Sequence, residues 1–323
     1  MFPPLRLRSA LSLGGLHPRE LAIRVWKRMV EHEITTRAAA VAFYAMLATV
    51  PFLALMLTIL VQLLPDVTGW RKGMSSMTVH QLEESIRHLF PREVSGLVMD
   101  QIARIQAHPP VGLLSVGVVI ALWLASSLYL AIIDAMNRVF GVTETRSLLR
   151  LRLAAILMTI VQATVLIGSL VVIVAWPQIL RALGLGENRL VAALVTTVKL
   201  VGIYVMILLS FALTFYFAPD ADQRWEWITP GSLMGSTLFI LTSLAFRVYV
   251  QNWGNYDKTY GSLAGVMALL FWFWLMALIL LTAAEVNKVI EAASPLGKPY
   301  GQRTDPAEAP DFQAMPPQPQ AKS

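Results

Sequence analysis

The stretch SLAGVMALLFWFWLMALILLTAA, residues 262–284, contains no charged side chain. A spanning helix needs roughly 20 predominantly apolar residues, because the hydrocarbon layer is about 30 Å thick and a helix rises about 1.5 Å per residue. This run satisfies that requirement. Working outward from it, five more do so: Ala38 to Leu64, Val111 to Ile133, Leu153 to Trp176, Leu190 to Phe217 and Ile228 to Val250. A membrane barrel would show shorter alternating segments instead. Helices satisfy their own backbone in lipid, so the sequence predicts an all-α polytopic membrane protein, a six-transmembrane-helix bundle over residues 38–287.

Composition agrees. The 323 residues are 56% hydrophobic and only 14% charged, with a mean hydropathy of +0.60. That is outside the range of ordinary soluble domains. The net charge of +6 is the normal result of orientation signals in a polytopic protein, so nucleic acid is not an expected partner. Cysteine is absent, which excludes disulfides, thiolate metal sites and a cysteine nucleophile. The five histidines (His17, His32, His80, His88, His108) show no ligand-like spacing, and no cofactor or metal is expected.

Lys and Arg on alternate sides of the six spans number sixteen and eight, with Lys199 and Arg247 inside spans. The larger group includes both tails, which predicts cytoplasmic N and C termini. Seven Lys or Arg and three Glu precede the first apolar run, so that run is not read as a cleavable signal.

Within residues 1–37, Leu21, Val25, Trp26, Met29 and Val30 share a face, predicting a helix at the cytoplasmic interface. It reads either as a topogenic lead-in or as a lipid sensor. In the external loop, residues 65–110, apolar residues at helical spacing on either side of Pro91 predict two short amphipathic helices. The region 288–323, rich in Pro, Gln and Ala, is expected to be a flexible cytoplasmic tail.

Polar residues three, four, seven or eleven apart share a helix face. Such stripes occur in several spans: Tyr44, Pro51, Thr58 and Gln62 in the first; Ser127, Asp134 and Arg138 in the second; Gln162 and Ser169 in the third. The fourth aligns Thr196, Lys199, Gly202, Met206, Ser210 and Thr214, and the fifth Ser232, Ser236, Ser243 and Arg247. Close helix packing accounts for most of the hydroxyls. Charges demand more, since a Lys or Arg at membrane depth costs roughly 2.5 to 3.5 kcal/mol and usually faces a wet cavity or a partner. Arg247 lies near a helix end and can snorkel. Lys199 is roughly 13 Å in from Leu190. A substrate pathway is therefore expected along Lys199, Arg247, Ser210, Ser236, Ser243 and Tyr44, suited to an anionic group.

At the cytoplasmic end, Asp134 and Arg138 are spaced to pair, Asn137 flanks them, and Glu285 with Asn287 ends the sixth span. They read either as an inner gate or as a surface salt bridge with ordinary helix-end polarity. Outside the membrane, Gly254-Asn255-Tyr256 is a turn signal, Tyr249, Trp253, Tyr256 and Tyr260 form an aromatic belt, and Gly261 with Gly265 makes a small face for close helix contact.

Several of these stretches together resemble the YihY/BrkB family of bacterial inner-membrane proteins: Ala38 to Tyr44 followed by Pro51, Asn137 to Val142, Tyr256 to Ala264, and Ala284-Glu285-Val286-Asn287. The resemblance runs from about Glu31 to Glu291. It implies a six-span plasma-membrane protein, historically labelled ribonuclease BN-like and elsewhere linked to serum resistance or envelope transport. Asp257 and Lys258 stand where smaller or amide residues are expected, so the external turn Asn255, Tyr256, Tyr260, Gly261 need not bind the family's ligand.

A nuclease needs clustered carboxylates or a histidine acid and base on a soluble face, whereas Glu144, Asp220, Asp222 and Glu226 are scattered, so no enzyme is expected. Two readings from different classes remain. One is a transporter or flippase for an anionic amphiphile or lipid. The other is a non-transporting envelope factor that organises protein partners or copies of itself.

Overall fold

The computed structural model describes residues 13–63, 116–182, 189–221, 228–252 and 262–294. A 3-10 turn at Leu13–Gly15 leads into α1 (Pro18–Glu31). Pro18 suits the first helical position, and Glu20 and Arg28 lie at the helix ends that favour their charges. After a two-residue joint follow α2 (Ile34–Leu63), α3 (Val116–Phe140), α4 (Leu148–Ala182), α5 (Arg189–Phe217), α6 (Pro230–Asn252) and α7 (Ser262–Ala293). Glu33 at the joint has φ of 52°, a left-handed conformation that turns the chain between α1 and α2.

Five of these helices are long and apolar enough to cross a membrane: those containing Val119–Phe140, Leu148–Ser169, Leu194–Phe217, Pro230–Val250 and Ala264–Ala293. In α2 the stretch Ile34–Thr49 is a shorter apolar helix, although the helix itself runs to Leu63. The sequence placed span ends where charges begin, and the helices do not stop there. α3 continues past Ile133 to Phe140, α4 starts at Leu148 ahead of Leu153, and α7 continues past residue 287 to Ala293. Asp134, Arg152, Lys288 and Glu291 in these extensions find partners, and Arg138 and Arg150 are exposed, so none of these charges forces the backbone to leave the helix.

α2 to α7 form a ring in which each helix packs on the next, α7 closes on α2, and α7 also touches α3. At one end, here the basal end, lie α1, the α3–α4 and α5–α6 connections and the C-terminus of α7. Burial is concentrated toward it. The core joins Ala38 and Val41 of α2, Ile133 and Met136 of α3, Ala155 and Met158 of α4, Phe211 and Phe215 of α5, and Leu281 and Ala284 of α7.

Toward the distal end burial thins out, although α5 and α6 still meet at the Tyr204 and Thr237 hydroxyls and α6 meets α7 through the Phe246, Tyr249 and Phe271 rings. In α5 no residue from Leu194 to Ser210 is buried, on any face, and in α6 none from Thr237 to Val250. A methyl group at Gly202 would meet nothing within 4 Å. At the basal end the reverse holds. A Cβ on Gly231 would overlap the Ala283 carbonyl and lie 2.6 Å from the Asn287 side chain, and one on Gly235 would lie 2.6 Å from the Phe211 ring. Gly231 and Gly235, four apart, give α6 the bare stripe that lets it approach α7 this closely.

α1 divides its apolar face. Val25 is buried with Leu21 and Met29 against Val286, Val289 and Ile290 of α7. Trp26 and Val30, expected on the same face, are 68% and 64% exposed, and Ile23 joins them at 58%. The loop 65–110, the turn containing Asn255, Tyr256, Tyr260 and Gly261, the side chains of Thr58 and Gln62, and residues 295–323 lie outside the described residues.

Candidate functional site

The polar groups of the basal end are joined by named bonds. α3 ends in a Schellman turn: Gly141 has φ of 70°, its N–H donates to the Arg138 carbonyl at 3.1 Å, and Val142 N–H donates to the Asn137 carbonyl at 2.9 Å. That turn sends the chain back over the buried Asn137 side chain. Asn137 Nδ2 donates to Glu144 Oε2 at 2.9 Å, and its Oδ1 accepts from the Asp220 backbone N–H at 2.7 Å. One amide therefore holds both the α3–α4 connection and the end of α5.

Arg146 completes this corner. Its Nε and Nη2 donate to the two Glu144 oxygens at 2.8 and 2.7 Å, and Nη2 also reaches the Ala218 carbonyl at 3.1 Å. Asp220 Oδ2 accepts from the N–H and hydroxyl of Thr145 at 2.7 and 2.8 Å. Burial pushes the Glu144 carboxyl up, but hydrogen bonds from the Arg146 side chain and backbone and from Asn137 outweigh it, and its pKa lies below the ordinary value. The same bonds to Glu144 raise the Arg146 pKa.

A second group joins α6 and α7. Asn287 Oδ1 accepts from Gly231 N–H at 2.7 Å, and its Nδ2 donates to Thr229 Oγ1 at 2.9 Å. Thr229 and Ser232 cap the start of α6 reciprocally, Ser232 N–H donating to Thr229 Oγ1 at 3.0 Å and Thr229 N–H to Ser232 Oγ at 2.9 Å. Two residues before Asn287, Glu285 is fully buried and its Oε1 meets His32 Nδ1 at the α1–α2 joint. Lys288, also buried, donates to Glu291 Oε2 at 3.0 Å.

Asp134 does not pair with Arg138. Its Oδ2 accepts from Arg37 Nη1 at 2.7 Å, and Arg37 Nε donates to the His32 carbonyl at 3.1 Å. The second bond aims the guanidinium across the α2–α3 contact, so Arg37 reaches Asp134 while Arg138 stays exposed. Of the expected inner set, Asn137, Glu285, Asn287 and Asp134 each hold two elements together, and Arg138 does not. His32, Arg37, Arg146, Lys288 and Gly231 complete the set without having been singled out.

The hydroxyl stripes divide similarly. Ser210 and Thr214 are engaged by Gln162 of α4, whose Nε2 donates to the Ser210 carbonyl and Thr214 Oγ1 at 3.0 and 2.9 Å and whose Oε1 accepts from Ser210 Oγ at 2.8 Å. Ser236 donates to the Ser232 carbonyl at 2.6 Å. Tyr204 and Thr237 hydroxyls meet at 3.1 Å between α5 and α6. By contrast, Ser243 Oγ is buried without a partner. Lys199 is half-buried and Arg247 exposed on the thinly packed distal stretches, and Tyr44 is 40% exposed on α2. No hydrogen bond or ion pair among the described residues joins any of these four to another.

The chain matches the family model described as virulence factor BrkB over residues 25–308, a stretch that contains every bond above from His32 to Asn287. The chain belongs to the BrkB family. Relatives of this BrkB-family chain include a ribonuclease-like protein, YfkH, of Bacillus subtilis, 27% identical over 82% of this chain and 93% of its own length. A UPF0761 membrane protein of Aeromonas salmonicida is 26% identical over 87% and 92%, and one of Tolumonas auensis 24% identical over 85% and 86%. No solved structure matches the BrkB-family chain.

Proposed function

We propose that this BrkB-family protein is a bacterial plasma-membrane transporter that moves an anionic amphiphile or lipid between the two sides of the bilayer. The observation that carries the reading is the asymmetry of the ring. Its basal half is packed and cross-bonded, whereas α5 buries no residue from Leu194 to Ser210 and α6 none from Thr237 to Val250. A ring tightly packed at one end and thinly packed at the other suits one of the two states that alternating access requires.

Lys199 lies on the thinly packed stretch of α5 without a partner among the described residues. A cation at membrane depth calls for water or an anion, and a phosphate or carboxylate head group supplies the anion. Arg247 serves the same role nearer the distal surface. The Asn137, Glu285 and Asn287 bonds are the inner gate, with the basal end toward the cytoplasm, as the excess of Lys and Arg on that side supports. Glu144 and Asp220 are held by Arg146, Asn137 and Thr145, which favours a structural role over hydrolysis.

The test is lipid movement in reconstituted vesicles, comparing tagged anionic and zwitterionic lipids. The wild-type chain moves an anionic class faster than protein-free vesicles do. Lys199→Met slows it about tenfold, the scale of one charge-assisted contact, without loss of folded protein. Equal rates for Lys199→Met and wild type on every anionic lipid tried would overturn the site. No protein-dependent movement at all would favour the envelope-organising reading.

A further inference from the structure

Glu285 Oε1 meets His32 Nδ1, but its other oxygen, Oε2, is buried with no hydrogen-bond partner. A carboxylate left half-satisfied in a dry position is costly unless positive charge stands against it. Lys288, one turn further along α7, is 1% exposed, with its ammonium 3.0 Å from Glu291 and 5.5 Å from the Phe140 ring centre.

The remaining charges around the pair are balanced or exposed. Arg28 pairs with Glu31 on α1, Arg37 with Asp134 between α2 and α3, and Glu33 at the joint is exposed. The basal part of α6, Pro230 to Ile240, has no titratable side chain. With a neutral imidazole, Glu285, Glu291 and Lys288 therefore leave one net negative charge. One added proton cancels it.

We propose that His32 and Glu285 are a proton-binding site whose occupancy decides whether α1 stays docked on α7. With Nδ1–H donated to Glu285 Oε1, the incoming proton goes to Nε2, for which the described residues supply no partner. The imidazole becomes an imidazolium, and its contact with the carboxylate becomes an ion pair. Loss of that proton returns a neutral ring, and the ion pair reverts to a hydrogen bond between a neutral donor and the carboxylate.

The position makes the change mechanical. His32 is the C-cap of α1, its N–H donates to the Arg28 carbonyl at 2.8 Å, and the left-handed Glu33 follows it. Weakening the His32 contact loosens the hinge on which α1 is held, and with it the cover over Val286, Val289 and Ile290. The inference does not rest on the transport reading, and its test involves no transported solute.

The chain has no cysteine, so a single introduced thiol is unique. Val25→Cys lies under α1 against α7, and Ile23→Cys lies on the exposed side of the same helix. In the full-length protein in vesicles, the ratio of their alkylation rates cancels the pH dependence of the thiol itself. From about pH 5.5 to about pH 8.5 the Val25→Cys to Ile23→Cys ratio rises about tenfold, and His32→Gln and Glu285→Gln each flatten the rise. If Glu285→Gln fails to accumulate, His32→Gln decides alone. A ratio constant with pH in the parent, or a rise that survives the substitutions, overturns the proposal.

Discussion

Asn287 accepts a hydrogen bond from the backbone N–H of Gly231 at 2.7 Å, at the place where a side chain on Gly231 would strike α7. Closeness of the two helices and the bond between them are one feature. Gly231→Ala must push α6 and α7 apart or displace Asn287. Overpacking at such a contact typically costs about 1 to 3 kcal/mol. The expected outcome is a clear fall in thermal midpoint in detergent, larger than that of Asn287→Ala alone.

Gly202 supplies the opposite case. A methyl there meets nothing within 4 Å, and alanine is the better helix former by roughly 0.5 to 1 kcal/mol. Gly202→Ala leaves the thermal midpoint unchanged or raises it. A large loss would show that the distal halves of α5 and α6 are packed against something.

Asn137→Ala removes bonds to Glu144 and to the Asp220 backbone together while leaving both in place. Orphaned partners cost about 1 to 3 kcal/mol. Stability falls on that scale, and limited proteolysis of intact membrane protein reports new cleavage in the α3–α4 connection. Asn137→Asp, which places a carboxylate against Glu144, does no better.

Glu144 ties part of this corner to pH. Its pKa is depressed in the folded protein, so its contribution is complete above the ordinary carboxylate value of about 4.3 and is lost as pH falls through the lower folded value. Thermal midpoints measured from about pH 6 to about pH 3 fall more steeply for wild type than for Glu144→Gln, which lacks the titration.

The α4–α5 clasp is weaker. Gln162 makes three bonds to Ser210 and Thr214, yet polar contacts between membrane helices average only about 0.6 kcal/mol. Gln162→Leu therefore shifts the midpoint much less than Asn137→Ala. A loss as large as that of Asn137→Ala would mean that α5 depends on this bond for its place in the ring.

The helices were legible because length and hydropathy alone decide whether a segment can cross a bilayer. Asn137, Glu285 and Asn287 were legible as polar groups at helix ends, but their partners were not. Nothing local marks His32 as different from His17, and only the fold at the Glu33 joint carries it to Glu285, 253 positions away. Arg37 displaced Arg138 for the same reason: helical spacing nominates neighbours on one helix and is silent about a guanidinium arriving from another. Gly231 and Gly235 carry no local mark of close approach, and only the fold brings Ala283 of α7 against both.

The unequal burial along α5 and α6 also divides what mutation can reach. Near Phe211 and Gly235 each residue is committed to several neighbours, so most replacements disturb the framework. From Leu194 to Tyr204 few residues carry such obligations, and side chains there can be exchanged while the keel beneath them holds. Descendants of one ancestral sequence can in this way diverge along α5 without having to learn to fold again.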